Sequence, residues 1–433
     1  MAQLIKQAHL LHAAEAVGNG EVGDVLIAGG EIVAIAPTLT SYPTDAQIIE
    51  APGQFLGPGL IDLYSHSGEP GHESRETYVS LQQAAAAGGF TRVGLLPNTQ
   101  PAVDNAGAIS TFYQATNSPT HSSVTHFMPW AAITLNTEGT QLTELAELST
   151  AGALGFTDAS PLNNPALLRR LMEYAQPLQK PIALWPSNCE ITAHGVAREG
   201  ADSLRLGLAG VSAIAETTAL ATLLEYIVEI PTRIHIMRVS TARSVELLRQ
   251  AKSRNLPITA SVPWHHLLFD TQNLDSYDPN LRHAPPLGTR ADRQALIEGV
   301  ADGVIDAIAI DHSPYTYEEN TVAFDAAPPG AIGLQLALPA LWQTFVDSGQ
   351  WTASQLWAAL STKPADCLGL ASGRLAVGAP AELTLFNPRA SWEVNTATLK
   401  SRSHNTPLYG QTLPGSVTQT WMPDSLNSIH QSD

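Results

Sequence analysis

An α/β fold, a closed TIM-like (β/α)8 barrel carrying a small β-sandwich module built from both chain ends, is what the sequence predicts. Three observations lead there. Eight strand-like runs alternate with helix-like stretches across residues 55–371. Short β-type runs with turn signals fill residues 1–54 and return within 372–433. No Gly-x-Gly-x-x-Gly turn follows an early strand, which weighs against the competing doubly wound open sheet.

Taken in order, residues 3–11, 24–28, 31–36 and 47–51 read as strands, and Gly29-Gly30 between two of them is a two-residue hairpin signal. Gly57-Pro58-Gly59 reads as a breaker, after which the apolar run 60–63 opens the first barrel strand and ends in Tyr64-Ser65-His66. Further barrel strands are expected at 92–96, 125–132, 154–157, 182–185, 233–239, 258–262 and 305–310. Helices are expected at 76–87, 140–149, 164–174, 211–228, 241–254 and 290–300. The alanine run Ala84 to Ala87 reflects helix propensity and tight packing, not function. The β pattern returns at 373–375, 381–386 and 416–421, so residues 1–54 and 372–433 are expected to join in one module. Two separate appendages are the other arrangement these runs allow.

Bulk composition narrows the function classes. The chain has 433 residues, room for one barrel and a smaller module. Lys and Arg total 22 against 40 Asp and Glu, a formal net charge of −18. Such a surface repels phosphate backbones and anionic lipid, so neither nucleic acid nor membrane is an expected partner. Cys189 and Cys367 are the only cysteines, too few for a disulfide framework or a cysteine-based zinc site. With no signal-peptide core and no membrane-length apolar run, a cytoplasmic location is expected.

Motifs recur in order along the chain. Gly57-Pro58-Gly59-Leu60-Ile61-Asp62-Leu63-Tyr64-Ser65-His66 is followed by Pro97-Asn98-Thr99, Val239-Ser240-Thr241, His265-His266-Leu267 and Pro285-Pro286-Leu287. The most distinctive run is Gly303-Val304-Ile305-Asp306-Ala307-Ile308-Ala309-Ile310-Asp311-His312-Ser313-Pro314, and Asn405-Thr406-Pro407 closes the series. In this order and spacing they resemble dihydroorotase, of the amidohydrolase superfamily. The resemblance implies a barrel that hydrolyses a cyclic amide with hydroxide held between two divalent metals, which lower the pKa of bound water. It also implies that the metal ligands sit at strand ends.

Carried onto this sequence, those ligand positions are largely replaced. The first-strand histidines correspond to Tyr64 and His66, the bridging carboxylate to Asp158, and the fifth-strand histidine to Asn188. The sixth-strand histidine corresponds to Arg238, and the last aspartate, ligand and general base, to Asp311. A permanent cation at position 238 repels metal, so no binuclear site is expected. One divalent metal such as zinc on His66, Asp158 and Asp311 is the alternative, since one histidine and two carboxylates can form a facial triad. Substrate recognition is depleted as well. Asn98 is kept, but Gly68 stands for the carboxylate-clamping arginine, Ala284 for an asparagine and Tyr315 for a histidine. Arg238 is expected to pair with Asp158, Asp311 or both, with Asn188 and Tyr64 adding hydrogen bonds to the carboxylates.

Other polar groups have ordinary readings. His265-His266 suits packing or capping, and His235 a satisfied interior position. His72-Glu73, His404 and His430 read as loop or surface groups, and Glu318-Glu319 as a solvated loop. Ser65-His66 with Asp62 is not a nucleophile triad, because adjacent strand residues face opposite ways. The resemblance therefore implies a dihydroorotase-like protein of pyrimidine biosynthesis without hydrolase activity or cofactor. Its expected role is an assembly or regulatory subunit, a homo-oligomer associating with aspartate carbamoyltransferase. A mononuclear cyclic amidohydrolase and a small-molecule sensor are the alternatives.

Overall fold

The first strand, β1 (Gln3–Leu10), buries Leu4, Ile5, Ala8 and Leu10 and becomes the hub of a mixed sheet. The structure, a computed structural model, describes residues 2–12, 18–117, 125–371 and 373–423. His430 and the rest of the chain beyond residue 423 lie outside the described residues. β1 pairs antiparallel with β2 (Val22–Ala28), and in parallel with β4 (Gln47–Glu50) and β5 (Phe55–Pro58). β2 turns into β3 (Glu31–Ala36) through Gly29 and Gly30, whose φ of 62° and 80° give the primed turn that matches strand twist. Leu383–Glu393 pairs antiparallel with β5 and with Thr412–Trp421, so strands from both chain ends share this sheet. Ile5, Val25, Ile32, Leu56, Leu383 and Trp421 pack together in its own apolar core.

Gly57-Pro58-Gly59 is not a simple breaker. Residues 57 and 58 belong to β5, and only Gly59 separates it from the first barrel strand. A Cβ on Gly57 would lie 2.4 Å from the Trp357 indole nitrogen, and one on Gly59 2.2 Å from Thr91 Oγ1. These glycines serve close packing, and the Trp357 indole donates to Pro58 O at 2.8 Å.

The barrel has two hydrogen-bonded arcs. β6 (Leu60–Ser65), β7 (Phe90–Leu95) and β8 (His126–Pro129) form one. β9 (Ile182–Leu184) forms the other with the later strands β12 (Ile234–Ile236), β13 (Ile258–Pro263) and β14 (Ala307–Ala309), all parallel. Between β9 and β12 lies a two-residue parallel pair, β10 (Ala197–Arg198) with β11 (Gly210–Val211). Phe156 bridges Ala131 and Ile182, which makes residues 154–157 the eighth position of the ring, reduced to bridging contacts. The ring closes where Asp311 N donates to Tyr64 O at 3.1 Å and His66 N to His312 O at 2.8 Å. Ile61, Leu63, Met128, Ala183, Met237 and Ala307 fill the inside, while Leu60, Phe90, Ile234 and Ile308 pack outward against the helices. The strand expected at 125–132 stops at Pro129, which has no N–H to extend a ladder. The helix expected from residue 140 begins only at Leu145, because the preceding chain forms a loop around Thr134. Among the described residues no helix is long and apolar enough to cross a membrane.

Candidate functional site

Three residues just past strand ends adopt left-handed backbone: Ala159 (φ 60°), Arg238 (φ 55°) and Asp311 (φ 50°). Such conformations cost about 1–3 kcal/mol each outside glycine and persist only where surrounding contacts hold them. Here the contacts are mutual. Arg238 Nε donates to Asp311 Oδ2 at 2.8 Å and Nη2 to Oδ1 at 2.7 Å, a two-point fork, while Nη1 donates to Ala159 O at 3.1 Å. The Arg238 side chain is 6% exposed and that of Asp311 13%. The guanidinium carbon lies 4.9 Å from the Trp185 ring centre and 5.9 Å from that of Tyr64.

His66 completes the cluster. Its Nε2 lies 3.2 Å from Arg238 Nη2, and its Nδ1 3.2 Å from Asn98 Oδ1. Arginine can only donate, so Nε2 must accept, and the imidazole is neutral with its proton on Nδ1. Burial, and then the Arg238 charge, lower the His66 pKa to about 4. Burial alone would raise the Asp311 pKa, but the charge and hydrogen bonds of Arg238 hold it below the usual carboxylate range. For Arg238, burial works against the charge and Asp311 outweighs it, raising its pKa.

The other expected site residues are turned to different tasks. Asp158 does not reach Arg238. Its Oδ1 accepts from Thr134 N at 2.9 Å and its Oδ2 from Thr134 Oγ1 at 2.6 Å. Burial raises its pKa, those bonds only partly opposing it. Tyr64 does not donate to a carboxylate. Its hydroxyl lies 3.0 Å from Ser261 Oγ and accepts from Arg238 N at 3.1 Å. Asn188 also leaves the carboxylates, its Oδ1 capping the short helix Cys189–Thr192 by accepting from Glu190 N and Ile191 N. Gly68 is buried, and a Cβ there would lie 2.4–2.6 Å from backbone atoms of Glu76 and His72, so no side chain fits. Tyr315 directs its hydroxyl to Pro329 O at 3.2 Å, and Ala284 precedes Pro285 in the loop beside His266.

These contacts test the fit of a divalent metal. A metal needs ligand lone pairs, yet those of His66 Nε2 and both Asp311 oxygens are engaged by Arg238, and those of Asp158 by Thr134. The residues present do not fit a metal on His66, Asp158 and Asp311. Among the described residues, no group of three or more His, Cys, Asp or Glu is arranged to hold one.

Elsewhere, His235 lies between Thr259 Oγ1 at 2.9 Å and Ser261 Oγ at 2.8 Å, a satisfied interior residue. His265 and His266 are buried, His266 Nε2 lying 3.0 Å from Pro285 O. His72 and His404 are partly buried loop residues. Ser65 donates to Asp62 at 2.5 Å, away from His66. Glu319 is not merely solvated: it takes a forked pair from Arg75, with Nε 3.0 Å from each oxygen. Sequence reasoning missed Thr134, Ala159 and Trp185. Only Trp185, at the end of an expected strand, carried a positional signal.

The polar cluster thus lies at the strand carboxyl ends of a parallel barrel joined to a β-module, where such barrels place their sites. The fold agrees with L-hydantoinase (dihydropyrimidinase) from Arthrobacter aurescens, with a TM-score of 0.84, 22% identity and coverage of 98% of this chain and 95% of that one. Dihydropyrimidinase from Brevibacillus agri gives a TM-score of 0.81 at 21% identity, covering 98% and 94%. Residues 53–241 match the family described as dihydro-orotase-like. A probable dihydroorotase-like protein of Synechocystis sp. is 42% identical, over 91% of this chain and 94% of its own length. A dihydroorotase of Syntrophus aciditrophicus is 36% identical, over 95% of each. The chain belongs to the dihydroorotase-like family.

Proposed function

We propose that this chain is a non-hydrolysing member of its family, acting in pyrimidine biosynthesis as an assembly or regulatory subunit. The observation that supports this reading is the Arg238 fork on Asp311, with Nη2 also at His66 Nε2. One guanidinium supplies a fixed charge where two carboxylate oxygens and an imidazole would otherwise face a metal, and it activates no water. The closed position at Gly68 adds to it, because no cationic clamp for a ring carboxylate fits there. As a subunit the chain would act through its surface, as a homo-oligomer and with aspartate carbamoyltransferase as the partner its family resemblance suggests. The mononuclear hydrolase would need Asp158 to release Thr134 and Asp311 to release Arg238. Elemental analysis and dihydroorotate turnover, run beside an active dihydroorotase with zinc added, test the proposal. The expected result is no stoichiometric metal and no turnover; metal-dependent turnover would overturn it. Co-purification and sedimentation with aspartate carbamoyltransferase test the subunit role separately.

A further inference from the structure

Trp185, whose ring centre lies 4.9 Å from the Arg238 guanidinium carbon, also lines a cavity of about 90 Å³. Four of its lining residues carry a buried nitrogen without a hydrogen-bond partner: Trp185 Nε1, Arg198 Nε, Arg282 Nε and His283 Nε2. Arg198 is 3% exposed and His283 8%, so bulk solvent does not reach these groups as it would on a surface. Arg198 is held in place, its Nη2 donating to Ser240 Oγ at 2.6 Å. That leaves Nε as the donor with nothing to meet.

The charge balance points the same way. Among the described residues, neither Arg198 nor Arg282 forms an ion pair. The one carboxylate lining the cavity, Glu216, is already saturated. Its Oε1 accepts from Ser240 N, Thr241 N and Thr241 Oγ1 at 3.0–3.2 Å, and its Oε2 from the Ser240 hydroxyl. Arg198 and Glu216 therefore meet only through that hydroxyl. A buried guanidinium without a carboxylate is costly, and an incoming anion removes the cost. Arginine and tryptophan side chains are donors only, so whatever satisfies them must be an acceptor. Val196, Val211 and Pro286 supply apolar wall beside the donors.

We infer that this cavity binds a small oxyanion-bearing molecule, a carboxylate or a phosphate with a short apolar body, held by Arg198, Arg282, Trp185 and His283. None of these four residues is at position 68, 98, 284 or 315, although Ala284 lines the cavity beside His283, and the inference does not depend on whether the chain is catalytically silent. Titration calorimetry of the folded protein with inorganic phosphate and, separately, with malonate tests it. At least one of the two should bind saturably in the millimolar range or tighter, phosphate marking a phosphoryl ligand and malonate a carboxylate. Losing one charge-assisted donor should weaken binding about tenfold or more in Arg198→Gln and in Arg282→Gln. Arg205→Gln, an exposed arginine paired with Asp275, should bind as the parent does. If Arg198→Gln fails to fold, the half-buried Arg282 decides the matter. No saturable binding of either anion, or undiminished binding in folded Arg282→Gln, would overturn the inference.

Discussion

At the scale of single residues, Arg238 governs the site. It compensates Asp311, fills the lone pair of His66 and stacks on Trp185. Arg238→Met should destabilise the fold by about 3–5 kcal/mol, because Asp311 would stay buried without a counter-charge. Urea unfolding checks this, and added zinc should not restore the loss, since Asp158 remains tied to Thr134. Full rescue by zinc would show that the carboxylates can turn together onto a metal. Gly68→Ala gives a second check. A methyl group 2.4 Å from Glu76 O forces the backbone to move, an overpacking cost of about 1–3 kcal/mol. A neutral outcome would mean that the loop yields and position 68 is open after all.

Among elements, the joint between the module and the barrel is fixed by a buried polar cluster around Glu382. Glu382, just before the strand Leu383–Glu393, is 4% exposed. It accepts from Arg92 Nε and Nη2 at 2.8 and 2.7 Å and from Thr91 Oγ1 at 2.7 Å, all on β7. Its backbone carbonyl accepts from Gly59 N at 3.0 Å. Glu382→Leu would leave the Arg92 charge, 14% exposed, without a partner, and should cost about 3 kcal/mol. Chemical denaturation followed by tryptophan fluorescence measures it. A loss below about 1 kcal/mol would place the stability of the joint in its apolar contacts instead.

Over the whole molecule, buried histidines set the acid response. Burial lowers the pKa of His235 and His283 to about 3 and that of His266 to about 4, with His66 also at about 4. In the unfolded chain each titrates near 6.5. Between about pH 6.5 and 4 the unfolded state therefore binds more protons, and the unfolding free energy falls as pH falls, by about 1.4 kcal/mol per unit for each group. Asp62 acts with the opposite sign. Burial raises its pKa to about 7, so the fold gains from its protonation as pH falls from about 7 toward 4. Asp158, whose pKa burial also raises, acts in the same sense as Asp62. Four histidines outweigh two aspartates, and stability measured by urea titration should drop on acidification below about pH 6.5. A rise in stability over that window would contradict the buried neutral state of these rings.

By itself the sequence determined the alternation that builds the barrel, seven of its strand positions, and the presence of β runs at both chain ends. These follow from patterns read along one dimension: apolar periodicity marks the strands, and the residues after each run must lie at its carboxyl end. Tyr64, His66, Asp158, Arg238 and Asp311 were named through the resemblance to dihydroorotase, which implies ligand positions at strand ends. The tertiary structure alone decided their partners. Arg238 takes Asp311 and not Asp158, because the loop leading to Leu145 places the Thr134 amide and hydroxyl on Asp158. Gly57-Pro58 extends a strand, and not a turn, because Trp357 and Leu383–Glu393 arrive from some three hundred residues away to pack and pair with it. The cavity of Arg198, Arg282, Trp185 and His283 likewise joins four residues with no common local pattern. Such choices depend on rotamers and on which distant loops come within reach of each donor, and neither is written in the spacing of residues along the chain.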